Sequence, residues 1–154
     1  MRTPWRKTTV PWSGLCLWSA MAALVVAVCS IPGRDGGDQV ARGRVCRSTL
    51  PRGMELSCAT YGFGDLRYRC PKSDADGRPC VRTSGVTVRN RGRTRVYVTY
   101  IAGVRQGVRE QGPQRALEPG AEITLRPGGR RWLYDITLRG TEEGPKILEV
   151  VRVR

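Results

Sequence analysis

The sequence predicts an all-β protein, an antiparallel sandwich preceded by one N-terminal hydrophobic helix. Three observations carry that prediction. Apolar and polar residues alternate with period two through residues 81–153, and Gly- or Pro-bearing turn signals interrupt the alternation at regular intervals. No apolar repeat of helical period follows residue 33. Residues 8–33 are uncharged, with an apolar heart at 15–28, and Arg2, Arg6 and Lys7 precede them with no acid among them.

That first segment is a signal peptide or an N-terminal membrane anchor, assigned to residues 1–33. A helix rising about 1.5 Å per residue needs ~20 residues to cross a hydrocarbon core of roughly 30 Å. Residues 12–32 reach that length, while the apolar heart alone has the size of a long signal-peptide core. Ala27-Val28-Cys29 and Val28-Cys29-Ser30 are mediocre cleavage sites, and the bulk of Val28 argues against a lipidated Cys29. Trp5 and Trp12 sit where amphipathic rings favour the interface, which tilts the reading towards an anchor. The basic flank places the N-terminus inside, so the rest of the chain is expected to be extracytoplasmic. It stays at the cell membrane, or is secreted if the leader is cleaved.

Residues 34–45, rich in Gly, Arg and Asp, read as a polar linker. Residues 46–154 are the size of one domain. Four cysteines remain there: Cys46, Cys58, Cys70 and Cys80. An even number in an exported domain reads as two disulfides. Without a CxxC pair, neither a zinc ribbon nor a thiol oxidoreductase is indicated. The turn-rich run between Cys70 and Cys80 favours Cys70–Cys80 with Cys46–Cys58, and a nested Cys46–Cys80 with Cys58–Cys70 stays open.

Between the cysteines, strands are expected near residues 55–60 and 66–70. Beyond them Val86 and Val88 alternate with Thr87 and Arg89, then Val96, Val98 and Tyr100 with Arg95, Tyr97 and Thr99. Asn90-Arg91-Gly92-Arg93 reads as the turn between them. Glu118-Pro119-Gly120 has the Pro-Gly order of a type II turn, and Arg126-Pro127-Gly128-Gly129 turns the chain again. In the next strand Trp132, Tyr134, Ile136 and Leu138 face one way, with Leu133 as the exception; Trp132 is expected in the core. Residues 146–153 form the last strand.

The run from Gly85 to Tyr100, with its Asn90-Arg91-Gly92 turn, followed by Leu117-Glu118-Pro119-Gly120 and a further strand, resembles bacterial extracytoplasmic immunoglobulin-like domains. The resemblance spans roughly residues 83–153. It implies an immunoglobulin-like, Greek-key sandwich and assigns no functional residue.

Function is narrowed mainly by exclusion. The chain has 27 basic and 13 acidic residues and no histidine. Removing the three leader cations leaves 24 basic against 13 acidic residues, a formal +11. Arginine supplies nearly all of it, for only Lys72 and Lys146 are lysines after the leader. The joint abundance of Arg, Gly, Ala and Pro points to a GC-rich genome of the actinobacterial kind. Lack of histidine removes the commonest general base and metal ligand. No serine has S-x-x-K or G-x-S-x-G around it, and adjacent Glu142 and Glu143 cannot flank a substrate. Asp74-Ala75-Asp76-Gly77 has Lys72 and Thr83 where a calcium loop needs acids, so it reads as a turn. Tyr61-Gly62-Phe63-Gly64 lacks the strand–loop–helix setting of a nucleotide site. Neither catalysis nor a cofactor nor a metal is expected.

The remaining candidates are anion-binding arginines: Arg89, Arg91, Arg93 and Arg95 across an expected hairpin tip, with Arg130 and Arg131 beside Trp132. A solvated tip is the plainer reading of the same residues. The expected function is a non-catalytic extracytoplasmic domain, anchored by its N-terminal helix, acting in binding or as an envelope accessory. Its partners would be the membrane itself, an anionic lipid or wall polymer, or an envelope protein, without specific nucleic-acid recognition; the sequence sets no oligomeric state. The alternative is a freely secreted small basic effector, such as a protease inhibitor or antibacterial protein.

Overall fold

Branched and aromatic residues at alternate positions build strands whose apolar sides must be covered, and here two sheets cover each other. The computed structural model describes residues 39–71 and 77–154. The apolar stretch at 8–33 and most of the acidic turn at 74–77 therefore lie outside the described residues. Among the described residues, no helix is long and apolar enough to cross a membrane.

The strands are β1 Val45–Ser48, β2 Glu55–Ser57, β3 Tyr68–Arg69, β4 Val81–Arg82, β5 Val86–Asn90, β6 Val96–Gly103, β7 Glu110–Gln111, β8 Arg115–Leu117, β9 Glu122–Leu125, β10 Trp132–Gly140 and β11 Lys146–Val153. One antiparallel sheet has the order β1-β11-β5-β9. The other has the order β2-β10-β6, with β7 and β8 both pairing β6; β3 and β4 form a separate ribbon. Val86, Val88, Leu125, Leu148 and Val150 of the first sheet meet Val96, Val98, Leu133, Ile136 and Leu138 of the second in one buried cluster. Each such side chain contributes about 1.5–3 kcal/mol by leaving water.

The expected all-β, antiparallel, sandwich-like class is present, but its winding is not the immunoglobulin one. An immunoglobulin sandwich keeps its first two strands side by side in one sheet. Here β1 and β2 lie in different sheets, as do β5 and β6, β8 and β9, β9 and β10, and β10 and β11. The order β1-β11-β5-β9 over β2-β10-β6-β8 is that of a jelly roll. The segment 91–95 is accordingly a crossing between sheets, not a hairpin tip.

Asn90 holds that crossing. It is fully buried. Its Nδ2 donates to the Thr94 carbonyl at 2.8 Å and the Leu117 carbonyl at 3.0 Å, and its Oδ1 accepts from the Gly92 amide at 2.8 Å. Its own carbonyl accepts from the Gly120 amide at 2.8 Å. The side chain thus fastens the 91–95 crossing to the end of β8, and the Asn90 carbonyl holds the 118–121 crossing that follows.

Several local expectations change. Register between β10 and β6 shifts between Leu133 and Asp135, a bulge that brings Leu133 and Ile136 onto the same buried face. That is the physical reason for the Leu133 exception. Trp132, ahead of the bulge, is only half-buried, with the Tyr68 ring edge-on at 4.8 Å and the Arg82 guanidinium 4.8 Å from its centroid. It is not the core tryptophan. The strand expected at 55–60 ends at Ser57 and gives way to one wide helical turn, Ala59–Phe63. A Cβ on Gly62, whose φ is +153°, would run into the Val45 carbonyl, so glycine is required where this turn passes under β1. Residues 39–44, read as linker, lie against the domain: Val40 is in the core and the Gly43 amide donates to the Val150 carbonyl at 2.8 Å.

Candidate functional site

The four cysteines pair as Cys46–Cys58 and Cys70–Cys80, the adjacent arrangement. Cys46 on β1 and Cys58 after β2 are both fully buried, and their bond joins the edge strands of the two sheets, with Cα atoms 5.3 Å apart. Cys70–Cys80 closes the loop ahead of β4. Two disulfides suit an oxidising, extracytoplasmic environment.

The six arginines singled out by the sequence do not form one cluster. The crossing at 91–95 sends Arg89 and Arg91 to the first sheet and Arg95 to the start of the second. Arg89 stands between Glu149 and Glu122 in the strand register and is ion-paired with Glu122. Arg91 reaches Glu149 at 3.5 Å, Arg95 reaches Glu118 at 2.5 Å and Arg131 reaches Glu110 at 3.0 Å. Among the described residues, no carboxylate pairs with Arg93 or Arg130, and both are exposed. Four of the six are thus cross-strand or cross-loop partners of acids, with exposed pairs worth only about 0–1 kcal/mol each.

Two arginines without a carboxylate partner among the described residues, Arg52 and Arg139, line one cavity at the second sheet. In register, Glu55 of β2, Arg139 of β10, Tyr97 of β6 and Ala116 of β8 lie in one row. Beside that row is a cavity of about 500 Å³ lined by Arg52, Arg95, Tyr97, Gln114, Arg139 and Thr141. It continues towards a second depression that includes Arg93 and Glu142. Gly53 and Gly140 also face the cavity, and the Gly53 amide donates to the Gly140 carbonyl at 3.2 Å. Arg139 Nη2 lies 3.8 Å from where a Cβ on Gly53 would stand, so the guanidinium rests over bare backbone.

Behind Gly140 lies Lys146, only 1% exposed. A Cβ on Gly140 would collide with the Lys146 Cε, and Nζ is 3.0 Å from that position. Lys146 Nζ donates to the Leu50 carbonyl at 2.7 Å. Among the described residues no carboxylate pairs with it. A buried ammonium ordinarily has a counter-charge or a full set of acceptors. Sequence reasoning noted Lys146 only as one of two lysines, and did not mark Arg52, Gln114 or Arg139. Strand register brings these residues together, and nothing local in the sequence encodes it.

A second depression, about 310 Å³, is lined by Arg67, Tyr68, Arg105, Gln106, Trp132 and Tyr134. Of its lining groups, Arg67 chelates Asp65 through Nε and Nη2, and the Trp132 and Tyr134 rings lie under the Arg82 and Arg109 guanidiniums. The Arg67 hydrogen bonds hold the Asp65 carboxyl below the ordinary aspartate range, against a smaller opposing effect of burial. Among the described residues, no three of His, Cys, Asp or Glu are placed to hold a metal ion. In comparisons with protein-family models, curated proteins and solved structures, nothing matches the chain.

Proposed function

We propose that the chain is a non-catalytic extracytoplasmic domain, held at the membrane by its N-terminal apolar segment, that binds an anionic partner of the cell envelope. One observation carries the reading: five described carboxylates each already hold an arginine, while Arg52, Arg93, Arg130, Arg139 and buried Lys146 have no acidic partner among the described residues. Such a surface attracts polyanions over roughly a Debye length, ~8–10 Å at moderate salt. The two disulfides support the location, since cytoplasmic thiols stay reduced.

The test is binding of the intact, oxidised protein to soluble polyglycerol phosphate over a salt series. Affinity is expected to fall as salt rises. Arg93→Gln with Arg130→Gln should weaken binding more than Arg89→Gln with Arg91→Gln, because the latter pair is already neutralised by Glu122 and Glu149. Salt-independent or absent binding would remove the anionic partner from this account.

A further inference from the structure

We infer that the cavity between Arg52, Arg95 and Arg139 is a discrete site for one tetrahedral oxyanion of the phosphate or sulfate class. The inference deepens the anionic-partner reading and rests on it. A basic surface holds polyanions diffusely, whereas this cavity has the parts of a localised site. Three guanidinium groups line it, and two of them, Arg52 and Arg139, have no carboxylate partner among the described residues. Guanidinium forks match the oxygen spacing of phosphate and sulfate, and offer several N–H donors at once. Gln114 and Tyr97 add neutral donors on the same wall.

Two features distinguish this place from other arginine-rich surface. The first is that Gly53 leaves the backbone bare at the cavity wall beside the Arg139 guanidinium, so that an anion can approach as closely as the guanidiniums allow. The second is Lys146. Its ammonium sits behind Gly140, buried, with the Leu50 carbonyl as its one hydrogen-bond acceptor and no carboxylate among the described residues. An unpaired buried charge is costly, and an anion in the adjacent cavity offsets that cost. The nearby acids do not fill this role: Glu118 is engaged with Arg95, and Glu55, opposite Arg139 in register, forms no ion pair with it. Three guanidinium groups thus line a space next to one committed carboxylate, with the Lys146 ammonium on the far side of the Gly140 backbone.

The experiment is calorimetric titration of the full-length, disulfide-intact protein in low-chloride buffer with inorganic phosphate, sodium sulfate and soluble polyglycerol phosphate in separate arms. Saturable binding of at least one probe is expected, with one group bound per chain. Arg52→Gln combined with Arg139→Gln, both exposed and so compatible with folding, should lower that affinity about tenfold or more. Lys146→Met, which keeps an unbranched stem behind Gly140, should lower it as well. Arg89→Gln should leave it unchanged. Saturation by free phosphate or sulfate identifies a small-anion site, and saturation by the polymer alone identifies a polymer-borne phosphate; either supports the inference when the double variant loses it. No saturable binding by any probe, or binding untouched in the double variant, overturns it. If the double variant keeps the salt-dependent polymer binding of the wild type, the cavity fails as a site while the broader anionic-partner reading stands.

Discussion

Asn90 shows how one residue can carry more of a fold than its sequence context suggests. The sequence marks it as a turn residue, and it is one, but its three side-chain hydrogen bonds also tie the 91–95 crossing to the end of β8 inside the core. Asn90→Ala would leave the Thr94 and Leu117 carbonyls and the Gly92 amide without that partner. At about 1–3 kcal/mol for an orphaned buried group, a loss of roughly 2–4 kcal/mol is expected in denaturant-unfolding midpoints. Asp65 gives a pH-dependent counterpart. Its carboxyl is held below its ordinary value, chiefly by the Arg67 hydrogen bonds, so it favours folding above the unfolded aspartate pKa near ~3.9. That contribution is lost as pH falls through the lower folded value. Asp65→Asn should therefore be less stable than wild type at about pH 7, with the gap closing only in strong acid; pH-dependent thermal melts would read it. At this scale the sequence is partly legible. It flags Asn90, Gly62 and Lys146 by type, yet the functions of all three depend on neighbours far along the chain.

At the scale of elements, period two locates the long strands well, because each has one buried face. Val86 and Val88, Val96 and Val98, and Ile136 and Leu138 all point inward as their alternation predicts. The alternation does not say whether the next strand stays in the same sheet. A hairpin and a sheet-to-sheet crossing both show a strand, a turn with Gly, and another strand, so 91–95 reads equally well as either. That ambiguity is why the arginine series looked like one patch, and why Arg89 and Arg91 instead face Glu122 and Glu149. The Leu133 irregularity was the visible trace of the β10 bulge. The Cys46–Cys58 bond joins the edge strand β1 of one sheet to the end of the edge strand β2 of the other. Replacing both cysteines by Ala should cost about 3 kcal/mol in the chain-entropy description of a short closed loop, measurable by comparing denaturant midpoints.

For the whole molecule, the account joins three properties: a wound two-sheet core, two disulfides, and arginine in excess of the acids that could neutralise it. The first two make a small domain that holds together in an oxidising setting, and the third is the basis of the proposed anionic partner. The excess was legible from composition alone. The meeting of Arg52, Arg95 and Arg139 at one cavity was not, since that placement follows from strand register. All of this depends on the domain folding and working outside the cytoplasm. Mass spectrometry of the native protein after cell fractionation tests that claim most directly. The account predicts a membrane-fraction chain, with non-reduced peptides linking Cys46 to Cys58 and Cys70 to Cys80. A cytoplasmic chain with these four cysteines as free thiols would contradict it.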